Sequence, residues 1–109
     1  MRTHTLKIYQ VDVHAPYSFW DYKMARKKGA DFKTLKDYTL VYEGEFHSWG
    51  RKNNEVLEEI FTEGNIGRLR TYMAEFCKTA RSISVSDIIE LDGTMYYCNP
   101  FGFVKVGVS

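Results

Sequence analysis

Residues 88–98 read Ile-Ile-Glu-Leu-Asp-Gly-Thr-Met-Tyr-Tyr-Cys, which places two short strand-forming runs on either side of Asp92-Gly93. An Asp-Gly pair favours the two-residue type I′ turn that joins antiparallel strands. Residues 99–102, Asn-Pro-Phe-Gly, are typical of a second turn. Helices elsewhere in the chain must cover one face of the resulting sheet. The sequence therefore predicts a three-stranded meander over residues 88–91, 94–98 and 103–108.

The first half of the chain supplies two further strands and a helix. β-Branched and aromatic residues predict strands over 3–13 and 38–46. Proline is favourable in the first turn of a helix, and glycine is favourable just after the last turn. Pro16 and Gly29 therefore delimit a predicted helix over 16–28.

The segment between the second strand and the meander is predicted to be helical. Apolar residues at spacings of three and four predict helices over 54–63, ended by Gly64, and over 68–80. We therefore expect a single α+β domain over residues 1–109. Its antiparallel sheet should have about five strands, with two to three helices packed on one face.

Composition restricts the class of protein. The chain has 109 residues, of which 16% are aromatic, and its formal net charge is +1. This length gives one compact domain, and the aromatic content excludes disorder. The near-neutral charge excludes the broad basic surface of a typical nucleic-acid-binding domain. The sequence has no apolar run of ~18 residues, no secretory segment and too few cysteines for a disulfide scaffold, so we expect a cytoplasmic protein without a membrane partner.

Charges of opposite sign are segregated along the chain. Residues 23–36 contain six cations and one anion, whereas residues 43–63 contain six glutamates, one arginine and one lysine. Residues 68–81 are again basic, with three arginines and one lysine against one glutamate. Separate patches of this kind can steer a partner during association.

Residues that could carry covalent or metal chemistry are scattered. The three histidines and two cysteines have no metal-ligand spacing. Ser-Val-Ser-Asp at 84–87 is far from any histidine in sequence, so these side chains are better explained as caps of local backbone N–H groups. Residues 64–67 lack the lysine and hydroxyl that follow a phosphate-binding loop. We therefore expect no enzymatic activity, no catalytic residue, no metal and no cofactor.

Aromatic and basic residues crowd the predicted first helix. Four rings between residues 17 and 22 lie beside four cations, and one helix face cannot bury all four. Exposed rings next to cations are common in protein–protein hot spots. In the structural alternative, two rings enter the core and the others cover the sheet edge. Trp49, in a polar loop, is a further candidate. The candidate partner-binding residues are Phe19, Trp20, Lys23, Arg26, Lys27, Trp49, Arg68 and Arg70.

Four segments of the chain carry a family resemblance. They are Tyr-Thr-Leu-Val-Tyr-Glu-Gly-Glu (38–45), Leu-Glu-Glu-Ile-Phe (57–61), Arg-Ser-Ile-Ser-Val-Ser-Asp-Ile-Ile-Glu-Leu-Asp-Gly (81–93) and Tyr-Tyr-Cys-Asn-Pro-Phe-Gly-Phe (96–103). With them the chain resembles the YodL-like family, whose members are encoded by phages and conjugative elements of Gram-positive bacteria. Family members usually join the second and third segments by a short Phe-Asn-x-x-x-Pro linker. Residues 64–80 replace it here, so the predicted third helix is a departure from the family pattern.

The resemblance implies a setting but no active site, because the family has no established catalytic residues. Mobile elements often encode small proteins that disable host defences, and in size and style the chain is similar to anti-CRISPR proteins. The leading hypothesis is a non-enzymatic protein of a phage or mobile element. It would inhibit a bacterial defence effector, such as a CRISPR-Cas nuclease, by direct contact in the cytoplasm of the host bacterial cell.

Two other functions stay open. A module that sequesters a small ligand or nucleotide would contact phosphate through Arg68, Arg70 and the turn at 64–67. A nucleic-acid accessory factor would use the basic residues of 23–36, although the near-neutral charge does not favour it. A homodimer that pairs two copies through an exposed strand edge is also compatible with the sequence.

Overall fold

Five strands form one open antiparallel sheet in the computed structural model, which describes residues 1–108. The strands are β1 (Arg2–Val11), β2 (Tyr38–Ser48), β3 (Ile88–Leu91), β4 (Thr94–Cys98) and β5 (Phe103–Val108). The helices are α1 (Tyr22–Lys27), α2 (Asn53–Ile66) and α3 (Arg68–Phe76). The strand order β2-β1-β3-β4-β5 leaves β2 and β5 at the edges. The predicted α+β class, the antiparallel sheet and the C-terminal meander are confirmed.

The first turn of the meander has the predicted geometry. Asp92 and Gly93 have φ angles of 50° and 86°, both positive as a type I′ turn requires. The Asp92 carboxylate also links the turn to β1, because it accepts a hydrogen bond from the Thr5 N–H at 3.0 Å and lies 2.6 Å from Nδ1 of His4. These bonds fix the register of β3 and β4 beside β1.

Both faces of the sheet are covered. α2 and α3 pack on one face, over side chains that include Ile8 and Ile89. The segment that contains α1 packs on the opposite face, over Ile88 and Tyr97 among others. Successive side chains of a strand point to opposite faces, so the complete burial of both Ile88 and Ile89 requires cover on each side. Two helices, α2 and α3, share one face of the sheet, which agrees with the expected number of two to three. α1 lies on the opposite face, so the helices are not all on one side of the sheet as expected.

α1 is much shorter than the predicted helix over 16–28. Phe19 has a φ of 68°, which lies outside the right-handed helical region, so the chain turns there instead of continuing from Pro16 as a helix. The helix starts after Asp21, whose Oδ1 accepts a hydrogen bond from the Met24 N–H at 2.8 Å. Gly29 follows the last turn with a φ of 94°, the left-handed conformation that commonly ends a helix.

α2 continues through Gly64, where the predicted helix over 54–63 should stop. A Cβ atom added to Gly64 would lie 2.2 Å from Cδ1 of the buried Ile83. The glycine therefore allows close approach between the helix and this side chain and does not end the helix. α3 ends at Phe76, before the predicted end at residue 80, because Cys77 has extended backbone angles (φ −144°, ψ 119°).

Candidate protein-binding site

Three segments meet at the end of the sheet where β1 and β4 finish, namely residues 12–21, 81–87 and 99–102. Hydrogen bonds connect them. The Phe19 N–H donates to Oγ of Ser86 at 2.9 Å, and the Tyr97 hydroxyl donates to the carbonyl oxygen of Trp20 at 2.6 Å. The N–H of Tyr22, at the start of α1, donates to Oδ1 of Asn99 at 2.9 Å. These bonds hold the backbone around Phe19 and Trp20 against the sheet.

Phe19 and Ser86 both have left-handed backbone conformations, with φ angles of 68° and 81°. A bulky aromatic residue rarely adopts this region, and each such residue costs about 1–3 kcal/mol. Such strain persists where the surrounding structure over-determines the conformation, and it is concentrated at functional sites. The paired strain of Phe19 and Ser86 therefore identifies this end of the sheet as a candidate site.

The rings of Phe19 and Trp20 are partly open to solvent, with exposed fractions of 53% and 46%. Nζ of Lys28 lies 5.1 Å from the centroid of the Trp20 ring, and the guanidinium carbon of Arg81 lies 5.6 Å from that of Phe19. A cation within ~6 Å of a ring centroid is attracted to its face. Phe101, which is 95% exposed, projects from the turn at 99–102. We refer to Phe19, Trp20, Lys28, Arg81 and Phe101 as the aromatic end.

A buried carboxylate positions Arg81. Asp87 is fully buried, and its Oδ1 accepts a hydrogen bond from Nη2 of Arg81 at 3.1 Å. Its Oδ2 accepts from the Ser84 N–H at 2.9 Å and from Nε2 of Gln10 at 3.1 Å. Burial raises the pKa of Asp87 to about 6, although Arg81 and these hydrogen bonds oppose the change. Asp87 thus orders residues 81–87 and holds Arg81 beside Phe19.

The hydroxyl groups near the aromatic end differ in their hydrogen bonding. Within residues 1–108, the hydroxyls of Ser18 and Ser84 are buried without a hydrogen-bond partner, whereas Ser86 is engaged in the fold. Oγ of Ser86 accepts from Phe19, and the Ser86 carbonyl oxygen accepts from the Tyr38 hydroxyl at 2.6 Å. Burial raises the pKa of the Cys98 thiol well above its ordinary value, which disfavours the reactive thiolate. Within residues 1–108, no three His, Cys, Asp or Glu side chains are grouped so that they could hold a metal ion. The side chains that this end exposes to solvent include the rings of Phe19, Trp20 and Phe101 and the cation of Lys28.

The three predicted cations of α1 extend the aromatic end. Lys23, Arg26 and Lys27 are exposed, and they follow Phe19 and Trp20 directly in the chain. Nη1 of Arg26 donates to the Tyr22 hydroxyl at 3.4 Å. In the part of the chain that the structure describes, none of the three forms an ion pair. Five of the predicted residues, Phe19, Trp20, Lys23, Arg26 and Lys27, are therefore exposed within one short segment of the chain.

The other three predicted residues lie elsewhere. Trp49 follows β2 at the opposite end of the sheet, and Arg68 is exposed at the start of α3, on the face opposite α1. Arg70 turns inward. Its Nη2 donates to the Ala80 carbonyl oxygen at 3.0 Å, and its Nη1 is buried. Arg70 therefore anchors the connection after α3 through Nη2, while its Nη1 has no hydrogen-bond partner within residues 1–108. Its predicted contact with a partner stays a prediction.

Sequence reasoning missed Lys28, Arg81 and Phe101. Lys28 has a local signal, since it lies in the same basic run as Lys27. Phe101 has one too, because a large ring inside a tight turn is usually exposed. Arg81 has no local sequence signal, because only the folded sheet brings it close to Phe19. The hydrogen bond that joins these two segments, from Phe19 to Ser86, spans 67 positions of the chain.

The fold and this surface together define a small α+β domain that presents exposed rings flanked by cations. A family model described as the YodL-like domain matches residues 5–108. The chain belongs to the YodL-like family, and the match includes most of β1 and all of α1, which precede the segments that carry the resemblance. Comparison with curated proteins and with solved structures gave no match. None of the helices within residues 1–108 has the length and apolar character that a bilayer span requires.

Proposed function

We propose that this YodL-like domain is a non-enzymatic binding protein that contacts a partner protein through its aromatic end. The observation that carries the proposal is the exposure of Phe19 and Trp20 on a backbone that Ser86 and Tyr97 hold in place. A binding loop that is already ordered loses less entropy on association. Aromatic residues and arginine are also the side chains that contribute most often to interface hot spots.

The surroundings of the two rings favour a protein partner over nucleic acid. A cation already occupies one face of each ring, whereas a single-strand platform offers ring faces to successive bases. The chain also has a formal net charge of only +1. The exposed cations of α1 suit a partner surface with an apolar centre and an acidic rim.

The internal hydrogen bond of Arg70 weighs against the nucleotide-sequestering alternative. That function needs Arg70 to contact phosphate, but its guanidinium is bound to the Ala80 carbonyl oxygen. The side chains of Ser86 and Asp87 likewise accept hydrogen bonds from backbone N–H groups. This supports the proposal that the protein acts by contact alone. The partner suggested by the family resemblance is a bacterial defence effector, with a CRISPR-Cas nuclease as one candidate.

Comparative capture from a host lysate tests this function. The wild-type protein, a Phe19→Ala/Trp20→Ala variant and a matched Tyr72→Ala/Phe76→Ala variant would each be immobilised. Tyr72 and Phe76 are also exposed rings, but they lie on α3. We expect wild type and the α3 variant to retain one common protein that the first variant loses.

The captured protein would then be purified, and its nuclease or other defence activity would be measured with each variant. Inhibition by wild type and by the α3 variant, but not by the Phe19/Trp20 variant, is the expected result. Retention of the same proteins by all three variants would refute the role of the aromatic end. Capture without any change in activity would refute inhibition while leaving the binding function intact.

A further inference from the structure

We propose that a groove at the opposite end of the sheet binds an arginine or lysine side chain from an exposed segment of a partner protein. The groove lies between the end of β2 and α2 and has a volume of about 490 Å³. Its lining includes Phe46, His47, Trp49, Glu58, Glu59 and Glu63. This inference is independent of the aromatic end, because β1 alone has 10 residues and at ~3.3 Å per residue separates the two ends by roughly 30 Å.

Trp49 is held at the groove without being buried in it. The backbone N–H of Trp49 donates to Oε2 of Glu59 at 3.3 Å, and the Trp49 side chain is 77% exposed. The loop is pressed onto α2 at Gly50, where an added Cβ atom would lie 3.0 Å from Oε1 of Glu59 and from the Val56 nitrogen. The Trp49 ring therefore stands beside the helix with its surface available to a ligand.

The groove is acidic and its charges are not compensated. α2 carries four glutamates and no lysine or arginine. Glu55 accepts hydrogen bonds from the N–H groups of Arg51 and Lys52, and Glu59 accepts from Trp49. Within residues 1–108, no cation lies within 4.0 Å of a carboxylate oxygen of α2. Glu58 and Glu63 thus line the groove without an ionic partner, and the Glu63 carboxylate lies against Gly67 at the start of α3.

An exposed indole beside free carboxylates is complementary to a basic side chain. A guanidinium or ammonium group gains from contact with an indole face, and it forms strong charge-assisted hydrogen bonds with carboxylates. The apolar part of the groove, at Phe46 and Trp49, suits the methylene stem of such a side chain. Anionic ligands such as nucleotides or nucleic acid would be repelled by Glu58 and Glu63. A basic segment of a protein therefore fits the groove best.

Fluorescence of Trp49 gives a direct test. In a Trp20→Phe background Trp49 is the one remaining tryptophan, since the chain has two. This protein would be titrated with a hexa-arginine peptide at low and at physiological salt, with hexa-glutamate as the control peptide. We expect saturable quenching by hexa-arginine alone, weaker at the higher salt concentration because exposed charges are screened.

Charge-matched variants separate the groove from general attraction. Glu58→Gln/Glu63→Gln should weaken hexa-arginine binding by about 10-fold or more, equivalent to roughly 1.4 kcal/mol. Glu43→Gln/Glu45→Gln removes the same charge from exposed positions of β2 and should change the dissociation constant by less than ~2-fold. Equal effects of the two pairs, or no binding at low salt, would overturn the proposal.

Sedimentation of the protein alone distinguishes a partner protein from a second copy of this chain. We expect a monomer at micromolar concentration. Association of the wild type that the Glu58→Gln/Glu63→Gln variant abolishes would show that the basic residues of another copy occupy the groove, and it would overturn the assignment to a partner protein.

Discussion

The backbone N–H of Phe19 donates a hydrogen bond of 2.9 Å to Oγ of Ser86, and both residues have positive φ angles, 68° and 81°. This bond joins the loop before α1 to the segment that leads into β3. It stabilises the backbone conformation in which Phe19 is exposed and the Trp20 carbonyl oxygen accepts a hydrogen bond from the Tyr97 hydroxyl. The proposed binding surface therefore depends on a serine that is itself buried.

Removal of the Ser86 hydroxyl should destabilise the protein measurably. Ser86→Ala leaves the partly buried N–H of Phe19 without its acceptor and keeps the strained φ angle, so we expect the free energy of unfolding to fall by about 1–2 kcal/mol. Urea denaturation followed by circular dichroism measures this change. Ser82→Ala is the matched control, because Ser82 is exposed in the same segment and should cost less than ~0.5 kcal/mol. Equal losses in both variants would show that the bond to Phe19 contributes nothing.

The start of α1 can be tested at Asp21. Asp21→Ala removes the acceptor of the Met24 N–H and should lower the free energy of unfolding by about 1 kcal/mol, whereas Asp21→Asn keeps an acceptor and should change it by less than ~0.5 kcal/mol. If the helix began at Pro16, residue 21 would be internal and alanine would stabilise it. Thermal denaturation of the two variants distinguishes these starting points, and stabilisation by alanine would contradict the structure.

The contrast between Asp92-Gly93 and Pro16 shows how far the sequence predicts the fold. The turn at 92–93 is determined by its own two residues, so the meander could be predicted. Pro16 can begin a helix, but Phe19 is held in a left-handed conformation by Ser86, a residue 67 positions away. The position of α1 likewise depends on Ile88 and Ile89, which lie on opposite faces of β3 and are both buried. This relationship appears only once the strand register is known.

The close approach of Gly64 and Ile83 should appear as a coupling between them. Gly64→Ala places a methyl group 2.2 Å from Cδ1 of Ile83, and we expect a net loss of about 1–2 kcal/mol because overpacking outweighs the helix propensity of alanine. In an Ile83→Ala background the space is open, so the same change should be neutral or stabilising by up to ~1 kcal/mol. A double-mutant cycle by chemical denaturation measures the coupling. The same loss in both backgrounds would contradict the packing of α2 against Ile83.

Burial of Asp87 predicts an unusual pH dependence. Because the pKa of Asp87 is raised from 3.8 to about 6, the native state binds a proton more tightly than the unfolded state does. The contribution of Asp87 to stability is therefore complete below pH ~4 and decreases as pH rises towards 6, by about 3 kcal/mol in total. The stability of wild type relative to Asp87→Asn should increase when pH falls from 7 to 4, as measured by urea denaturation at each pH.

Carbon-13 NMR titration of the Asp87 carboxyl carbon is an independent measurement that does not require the variant to fold. It should show a midpoint close to pH 6. A midpoint below 4, together with a wild-type advantage that shrinks on acidification, would mean that Arg81 and the hydrogen bonds to the carboxylate outweigh its burial.

The functional site was less predictable than the fold. The exposed predicted residues between 19 and 27 lie in one short segment, so the local sequence is enough to group them. The polar loop around Trp49 predicts an exposed ring, but only the structure places Trp49 against the glutamates of α2, a contact that depends on how β2 and α2 pack. The sequence shows Arg70 only as a cation, whereas in the fold its guanidinium donates a hydrogen bond to the Ala80 carbonyl oxygen. Charge alone therefore does not show which residues face a partner.

The central claim is that Phe19 and Trp20 bind a protein partner, and calorimetric titration of the captured and purified partner tests it most directly. Trp20→Ala should raise the dissociation constant by about 30-fold or more, corresponding to a hot spot of ~2 kcal/mol. Tyr72→Ala, at an exposed ring on α3, should change it by less than ~3-fold. An unchanged dissociation constant for Trp20→Ala in a variant that folds normally would contradict the assignment of this surface.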